Sequence, residues 1–558
     1  METDRPIATA QDTTPEATSS LPAWLLPTVL VGLLGLAWSR RFVLDDAFIS
    51  FRYARNFARG EGLVWNAGEW VEGYTNFAWT LWMSLAFFLD LEPVLFAQLS
   101  GLAAYLVSLL AVWRAAQVLE LGDVPSLVAV LLLGMTPTFA AYATGGLETS
   151  LQAALLTSSA AVALHIWRGR AATPQSAAAL SVLLGLAVLT RLDSAAIGAW
   201  IGLGALAVVL RSSGRGKSDM APVLAALVLP FCLLVGAWFA WKAGAYGELL
   251  PNTYYAKTGD EGAWQRGLSF LWMYTSSAAL YPALLALIPG MIYAWRRRHT
   301  AALVGFGALG SWLLYVASVG GDFMEFRFLV AAMPLGTLVL VWTLWTAISS
   351  PLIRALVVAT TLLGGLAHQT SFEGQDGVES IEQLASHLTH EVQDWEGVGQ
   401  ALQRDLGERS TARIATTAAG AIPYYADLPA VDMLGLTDRW IATNGKRVSL
   451  QIAHNRLAPL SYLVEQEVHI VLGQPWLRRP GAPPRTRYPF QHLRELHGLR
   501  GERAMDFPRK ASVLEIPLPD NRVLVALYLQ PHADIERAIQ THGWRRLPIV
   551  AQSPHETL

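Results

Sequence analysis

Cysteine is almost missing. Of 558 residues only Cys232 carries a thiol, and it sits in an apolar run, so no intrachain disulfide can form. Charge is scarce at 15% of residues, and neither sign leads, with 41 Lys and Arg against 43 Asp and Glu. With no basic excess there is nothing to release counterions from a phosphate backbone, so a nucleic-acid partner is not expected. His165 and His368 stand alone, without the His/Cys/Glu spacing of a zinc site. No Gly-rich phosphate loop follows a strand in the apolar part, which disfavours a nucleotide-fuelled pump. The 53% hydrophobic content, with 21 Trp, excludes a disordered chain and a small disulfide scaffold.

The charges are unevenly placed. Residues 1–372 carry 42 of them, and the 186 residues that follow carry the other 42. The first part reads as a membrane domain (21–367) and the last as a water-soluble domain (368–558). A span needs about 20 mostly apolar residues to cross roughly 30 Å of hydrocarbon. Such runs lie near 22–39, 94–113, 124–143, 147–167, 174–190, 194–210, 220–241, 270–295, 301–319, 328–348 and 351–367, about eleven in all. The apolar stretch 77–89 is too short and reads as a re-entrant or interfacial helix. Residues 1–20, rich in Thr, Pro, Ala and Glu, read as a disordered tail without a basic n-region. The first span is therefore expected to be an anchor and not a cleaved signal.

Orientation follows from Lys and Arg in short loops. Arg114; Arg168 and Arg170; Arg211, Arg215 and Lys217; Arg296, Arg297 and Arg298; and Arg354 fall in alternate loops, which should be cytoplasmic. The N-terminal tail is then cytoplasmic and the soluble domain extracytoplasmic. Arg40, Arg41, Arg52, Arg55 and Arg59 break the rule in the first outer loop, beside Asp45, Asp46, Glu61, Glu69 and Glu72. They are expected to face a site or lipid phosphates.

The outer loops are unusually rich in chemistry: residues 41–76, TGGLET (144–149), TRLDS (190–194), GELLPNTYYAKTG (247–259) and GGDFMEFRF (320–328). Ionisable groups at that depth are costly unless they pair or line water, so a polar cavity at the membrane surface is expected. Asp45 and Asp46 begin a helical pattern with an apolar stripe of Phe48, Phe51, Ala54, Phe57 and Ala58. Asp46, Ser50 and Tyr53 share another face. One Asp could cap the helix. Adjacent carboxylates also repel and raise one pKa, which suits a general base. Arg52, Arg191, Lys257 and Arg327 could hold a lipid phosphate. Equally, Arg191 could pair with Asp193, and Arg327 with Glu325 or Asp322. Glu148 is a second acid or a helix-start charge. Asn252 and Tyr254 could bind a sugar hydroxyl or pack their loop. Tyr53, Glu72, Tyr74, Asn76 and Asp322 complete the candidate sugar and acceptor contacts.

The stretch DDAFISFRYARNFARGEGLVWNAGEWVEGYTN (45–76) resembles the mycobacterial terminal β-(1→2)-arabinofuranosyltransferase family, of the GT-C class. GLETS, LTRLDS, LLPNTYYAK, GDFMEFRFLVAAMPL and, in the soluble part, IATTAAGAIPYYADLPAVDMLGLTD are similar as well. The resemblance implies a polytopic GT-C-like fold and a membrane-embedded glycosyltransferase active at the outer face. The catalytic carboxylate would lie in the first outer loop, at Asp45 or Asp46. The donor would be a polyprenyl-phosphate sugar, decaprenyl-phosphate arabinofuranose in the mycobacterial enzymes, and the acceptor a cell-envelope glycan. No resident cofactor is implied beyond the option of a divalent cation. The same DDAFIS signature also occurs in a membrane protein of flagellar motor control. The alternative is therefore a non-catalytic assembly factor of the envelope or flagellum on the same scaffold. A lipid-sugar transporter would need broken helices and repeat symmetry, and neither is visible in the sequence.

The soluble part opens with an amphipathic helical run over 378–406. RIATT, AVDMLG, EVHIVLG (467–473) and RVLVALYLQ (522–530) read as strands, AGAIPYYADL as a turn and helix, and RRPGAPPRTRYP (478–489) as a surface loop. An extracytoplasmic α/β domain that guides an acceptor is expected.

Overall fold

The computed structural model describes residues 21–168, 172–211, 217–257, 262–390, 393–451, 454–499 and 501–550. The tail 1–20 lies outside them, as do Arg170 and Arg215. Helices dominate through Ser371, and an α/β region follows.

Several of the long helices begin where the sequence writes a start signal. Glu92, Thr173 and Ser350 are N-caps whose side chains accept from backbone N–H groups, and each precedes a proline at the first helical position. Proline there loses no intrahelical bond, and its fixed φ suits the helix. Six described helices are long and apolar enough to cross a membrane: Pro93–Val118, Thr149–Trp167, Leu192–Arg211, Met220–Tyr246, Thr300–Val319 and Pro351–Ser371. Five shorter apolar helices accompany them, among them Leu25–Ser39 and Pro174–Thr190. Phe77–Phe88, at 12 residues, reaches about 18 Å, too short to cross alone.

Two expected spans are broken. The run 270–295 is two helices, Ala263–Ser277 and Tyr281–Arg297, meeting at 107°. Ala279 takes φ 49° at the corner, and Pro282 starts the second helix. The run 124–143 stops at Gly134, and Pro137 opens a separate short helix to Ala141. The helical run 378–406 is likewise two helices, Ile381–Thr389 and Trp395–Leu406, with Asp394 capping the second.

The C-terminal sheet has six strands: β1 Ile414–Thr416, β2 Ala430–Asp432, β3 Ile470–Arg478, β4 Ser512–Pro517, β5 Val523–Tyr528 and β6 Arg545–Leu547. Their order is β2-β1-β3-β5-β4-β6. β1 runs parallel to β2 and β3, and the other pairings are antiparallel. Sequence reading finds the first three strands and β5 but misses β4 and β6. Their apolar faces are short and interrupted by Glu515, Arg545 and Arg546.

The sheet region packs on the helix Asp45–Ala58 through a second helix, Ala421–Ala426. Phe48 meets the rings of Tyr424 and Tyr425, each at 5.3 Å. Each such pair contributes about 0.5–1.5 kcal/mol beyond its buried area. Gly420 has no room for a side chain, since a Cβ there would lie 1.9 Å from the Asp45 carbonyl oxygen. The arginines of the first loop belong to this contact. Arg55 and Arg59 pair with Asp427 at 2.7 and 3.0 Å. Arg413 returns to Glu69 at 2.8 Å. Three of the five arginines of that loop, Arg52, Arg55 and Arg59, are thus spent on the sheet region, while Arg41 lies over the Trp38 ring.

Candidate active site

Where the helical bundle meets the sheet region, a cavity of about 550 Å³ opens. Four carboxylates (Asp46, Glu148, Asp193, Asp322) and four cations (Arg191, Lys257, Arg266, Arg327) line it, so its formal charge balances. The polar loops read from the sequence converge here. The sheet region adds Leu436 and Asn455. Asn455 donates to the Lys257 carbonyl at 3.0 Å, which fixes that wall.

Most of the charges are paired. Arg191 donates to Glu148 at 2.8 Å and to Asp193 at 2.6 Å. Asp193 also accepts from Gln152 at 2.8 Å and from Tyr315 at 3.1 Å. Asn76 donates to the second Glu148 oxygen at 2.7 Å, and its own carbonyl oxygen accepts from Ser50 and Thr80. Arg327 donates to Asp322 at 2.6 Å. Both pairings weighed from the sequence, Arg191 with Asp193 and Arg327 with Asp322, are present. Bonded on all sides, this network fixes the floor of the cavity.

Two charges remain. The Asp46 carboxylate and the Lys257 ammonium have no hydrogen-bonded or ion-paired partner among the described residues, yet both line the cavity. Burial holds the Lys257 pKa below its ordinary value, opposed by the fields of Asp46 and Asp322. Asp46 is thus the cavity carboxylate with no hydrogen-bonded partner among the described residues. Tyr74 and Tyr254 also reach the cavity. Tyr74 bonds to the Tyr246 hydroxyl at 3.0 Å, while Tyr254 stands exposed.

Other candidates turn elsewhere. Asp45 accepts from the N–H groups of Ala421 and Gly420 at 2.7 and 3.2 Å, facing the sheet region. Burial pushes its pKa up to about 7, with the neighbouring Asp46 adding to the rise and the two N–H groups opposing it. Arg52 does not line the cavity. Its buried guanidinium donates to the carbonyls of Trp65 (2.6 Å), Leu428 (2.8 Å) and Pro423, and to the Asn66 side chain (3.1 Å). Four of its five N–H donors are spent inside the protein, and none is directed to the cavity. Tyr53 donates to the Val71 carbonyl at 2.6 Å and accepts from Gly73 N–H at 2.8 Å. Glu72 pairs with Lys242 at 2.6 Å, both buried. Asn252 donates to the carbonyls of Gly435 and Leu436. Arg52, Tyr53, Glu72 and Asn252 are thus bonded within the protein and do not line the cavity.

Lys242 is the partner that sequence reading misses, because it sits in the apolar span Met220–Tyr246. A lone Lys inside such a span is itself the signal, since it needs a counter-charge. Leu436 and Asn455 carry no local signal. Among the described residues, no group of three or more His, Cys, Asp or Glu lies close enough to hold a metal ion.

Comparison with known proteins follows the same division. A domain of unknown function, DUF8728, matches residues 383–508, within the C-terminal region. The terminal β-(1→2)-arabinofuranosyltransferase of Mycobacterium tuberculosis (strain ATCC 25618 / H37Rv) is 28% identical over 352 residues, 55% of this chain and 53% of that protein. Its namesake in Corynebacterium glutamicum is 29% identical over 337 residues, 52% of this chain and 46% of that protein. The chain thus spans about half the length of the curated relatives it matches. Among solved structures, ArnT from Cupriavidus metallidurans bound to undecaprenyl phosphate superposes with a TM-score of 0.54 at 13% identity, over 90% of this chain and 97% of ArnT. The resemblance carried by the DDAFIS loop is therefore shown: the chain is similar in sequence to the terminal β-(1→2)-arabinofuranosyltransferases, on the polytopic GT-C membrane fold that it shares with ArnT.

Proposed function

We propose that the protein is an integral-membrane glycosyltransferase. It moves a sugar, arabinofuranose in the reading its relatives favour, from a polyprenyl-phosphate donor to a cell-envelope glycan. The observation that carries this is the pairing pattern of the cavity: among the described residues Glu148, Asp193 and Asp322 are bonded, while Asp46 and Lys257 have no hydrogen-bonded partner.

The mechanism follows from that pattern. The donor is a phosphodiester with one negative charge, and a charge-balanced cavity with a spare ammonium suits it. Lys257 holds the phosphate, with Arg327 beside it partly neutralised by Asp322. The prenyl tail stays in hydrocarbon and contributes about 0.8 kcal/mol per buried CH₂. An acceptor hydroxyl oxygen attacks the anomeric carbon. The bond from that carbon to the phosphate oxygen breaks, and the lipid phosphate leaves with the electron pair. Its added charge develops against Lys257 and Arg327. Asp46 takes the hydroxyl proton. The sugar passes through an oxocarbenium-like state.

The active face is extracytoplasmic, with residues 21–367 as the catalytic membrane domain and 368–558 as the extracytoplasmic domain that roofs it. The Lys/Arg bias of the short loops supports this orientation. The test is incubation of the purified chain in lipid nanodiscs with a panel of polyprenyl-phosphate sugars and short glycan acceptors. Transfer by the wild type, lost in Asp46→Asn with the fold intact, is the expected result. Undiminished transfer by Asp46→Asn would remove the base from this account.

A further inference from the structure

A second polar pocket, of about 90 Å³, lies beside the main cavity and shares Leu250 with it as a wall. It is bounded by the first loop, by the 246–255 turn and by the helix Arg439–Asn444 of the sheet region. None of the chemistry above uses it. We propose that this pocket is a saccharide subsite. On the transferase reading just given, it holds the acceptor sugar next to the one that receives the transferred residue.

Three of its polar groups keep unspent hydrogen-bonding capacity among the described residues. Glu248 accepts from Tyr255 at 3.2 Å through one oxygen, and the other has no described partner. Arg439 donates through Nη2 to the Tyr246 carbonyl, and its Nε and Nη1 have none. Asn252 spends its amide N–H groups on Gly435 and Leu436, which leaves its side-chain oxygen. Two acceptors and a forked donor on one small cavity match the hydroxyls of a sugar, which donate and accept in turn. Trp70 adds an apolar face. It is 44% exposed, and its ring lies 6.0 Å from that of Tyr246, itself a wall of the pocket. A half-exposed indole beside bonded polar groups offers a platform for the C–H face of a pyranose or furanose.

The charge decides against a phosphate or lipid head group. Glu72 and Glu248 outnumber Arg439 on the lining, and Glu72 is already neutralised by Lys242. What remains is a carboxylate and a guanidinium, suited to a neutral ligand. Leu250 lines both spaces, so the pocket adjoins the cavity in which the acceptor hydroxyl would sit. An acceptor of two or more sugars therefore gains contacts that a single sugar lacks.

The test uses the full chain in nanodiscs, a polyprenyl-phosphate arabinofuranose donor, and two acceptors: an octyl arabinofuranoside with one sugar and one with three. The wild type should favour the trisaccharide in kcat/KM. Glu248→Gln and Trp70→Ala should each lower the ratio of trisaccharide to monosaccharide by about tenfold, the loss of one or two hydrogen bonds or of a ring contact, and through KM. Trp70→Phe keeps a ring and should recover most of the ratio. A ratio that stays at the wild-type value in both variants overturns the subsite. A separate arm titrates the trisaccharide onto the protein calorimetrically without donor. Binding that is lost in Trp70→Ala, with no transfer to either acceptor, supports the subsite and overturns the transferase reading alone. Absence of binding by the wild type overturns the subsite.

Discussion

Asp45 accepts a hydrogen bond from the N–H of Ala421 at 2.7 Å, across 376 positions of sequence, while its neighbour Asp46 faces the cavity. One residue step along the helix turns the two carboxylates about 100° apart, enough to aim them at different surroundings. Asp45 ties its helix to the sheet region. Asp46 is left for the base role proposed above.

That division predicts different phenotypes for two nearly identical substitutions. Asp46→Asn should lower kcat by about 10²–10⁴-fold, the range for losing a general base, with KM for donor nearly unmoved. Asp45→Asn should instead loosen the sheet region, seen as faster limited proteolysis between residues 373 and 420. Steady-state kinetics and proteolysis of both variants check this pair.

The Asp45 environment also gives a pH dependence. Its folded pKa, about 7, is above the ordinary carboxylate value of about 3.9, so the folded protein binds the extra proton between those values. The stability this supplies is full below pH ~4 and is lost as the pH rises through ~7. The melting temperature should therefore fall from pH 5 to pH 8, and Asp45→Asn should flatten the fall. Glu72, also pushed up to about 7 by burial, has the same sign and remains in that variant, so the flattening is partial. Thermal melts across this range measure it. A slope unchanged in Asp45→Asn would show that other groups carry the dependence.

Lys257 should separate function from stability. Its ammonium has no described partner to lose, so Lys257→Ala should leave the melting temperature close to wild type. Losing a charge-assisted contact of about 1.5–3 kcal/mol should lower kcat/KM for the donor by about 10–150-fold. Donor titrations with the variant check both halves.

The Glu72–Lys242 pair should behave in the opposite way. Lys242 is fully buried and Glu72 nearly so, so Lys242→Met strands a carboxylate and should cost about 3–5 kcal/mol. Adding Glu72→Gln to it removes the stranded charge and should restore most of the loss. A double-mutant cycle in detergent by chemical denaturation reads the coupling.

Gly420→Ala tests the contact between the two regions directly. The added Cβ would lie 1.9 Å from the Asp45 carbonyl oxygen, backbone that cannot give way cheaply. The variant should show the same proteolytic exposure as Asp45→Asn while the membrane helices keep their melting transition. A proteolysis pattern identical to wild type would mean that the contact is not tight in solution.

Much of this was legible before any coordinates. Pro93, Pro174 and Pro351, each behind a capping side chain, mark helix starts in the sequence, because capping and proline act within a single turn. The polar loops announce themselves, because charged residues between apolar runs need a common wet place. Arg191–Asp193 and Arg327–Asp322 are legible as pairs because their partners are two and five residues away. The corner at Ala279 is not, since the apolar run continues through it and only packing makes it turn. Strands β4 and β6 are hidden for a related reason: they are short and carry charges, Glu515 in one and Arg545 and Arg546 in the other, whose partners are met only in the sheet, as Glu515 meets Arg478 and Arg545.

The amino-acid order by itself determined the apolar helices, the polar loops between them and the stock of carboxylates and cations those loops deliver, since each depends on neighbours within a few turns. Which carboxylate is free, which arginine is used up, and that the sheet region closes the cavity were decided only by tertiary structure. Those outcomes depend on partners some 180–380 positions away, such as Pro423 and Leu428 for Arg52 and Asn455 for Lys257. A side chain's chemistry is local, but what it has left to offer a ligand is fixed by whatever the fold brings against it.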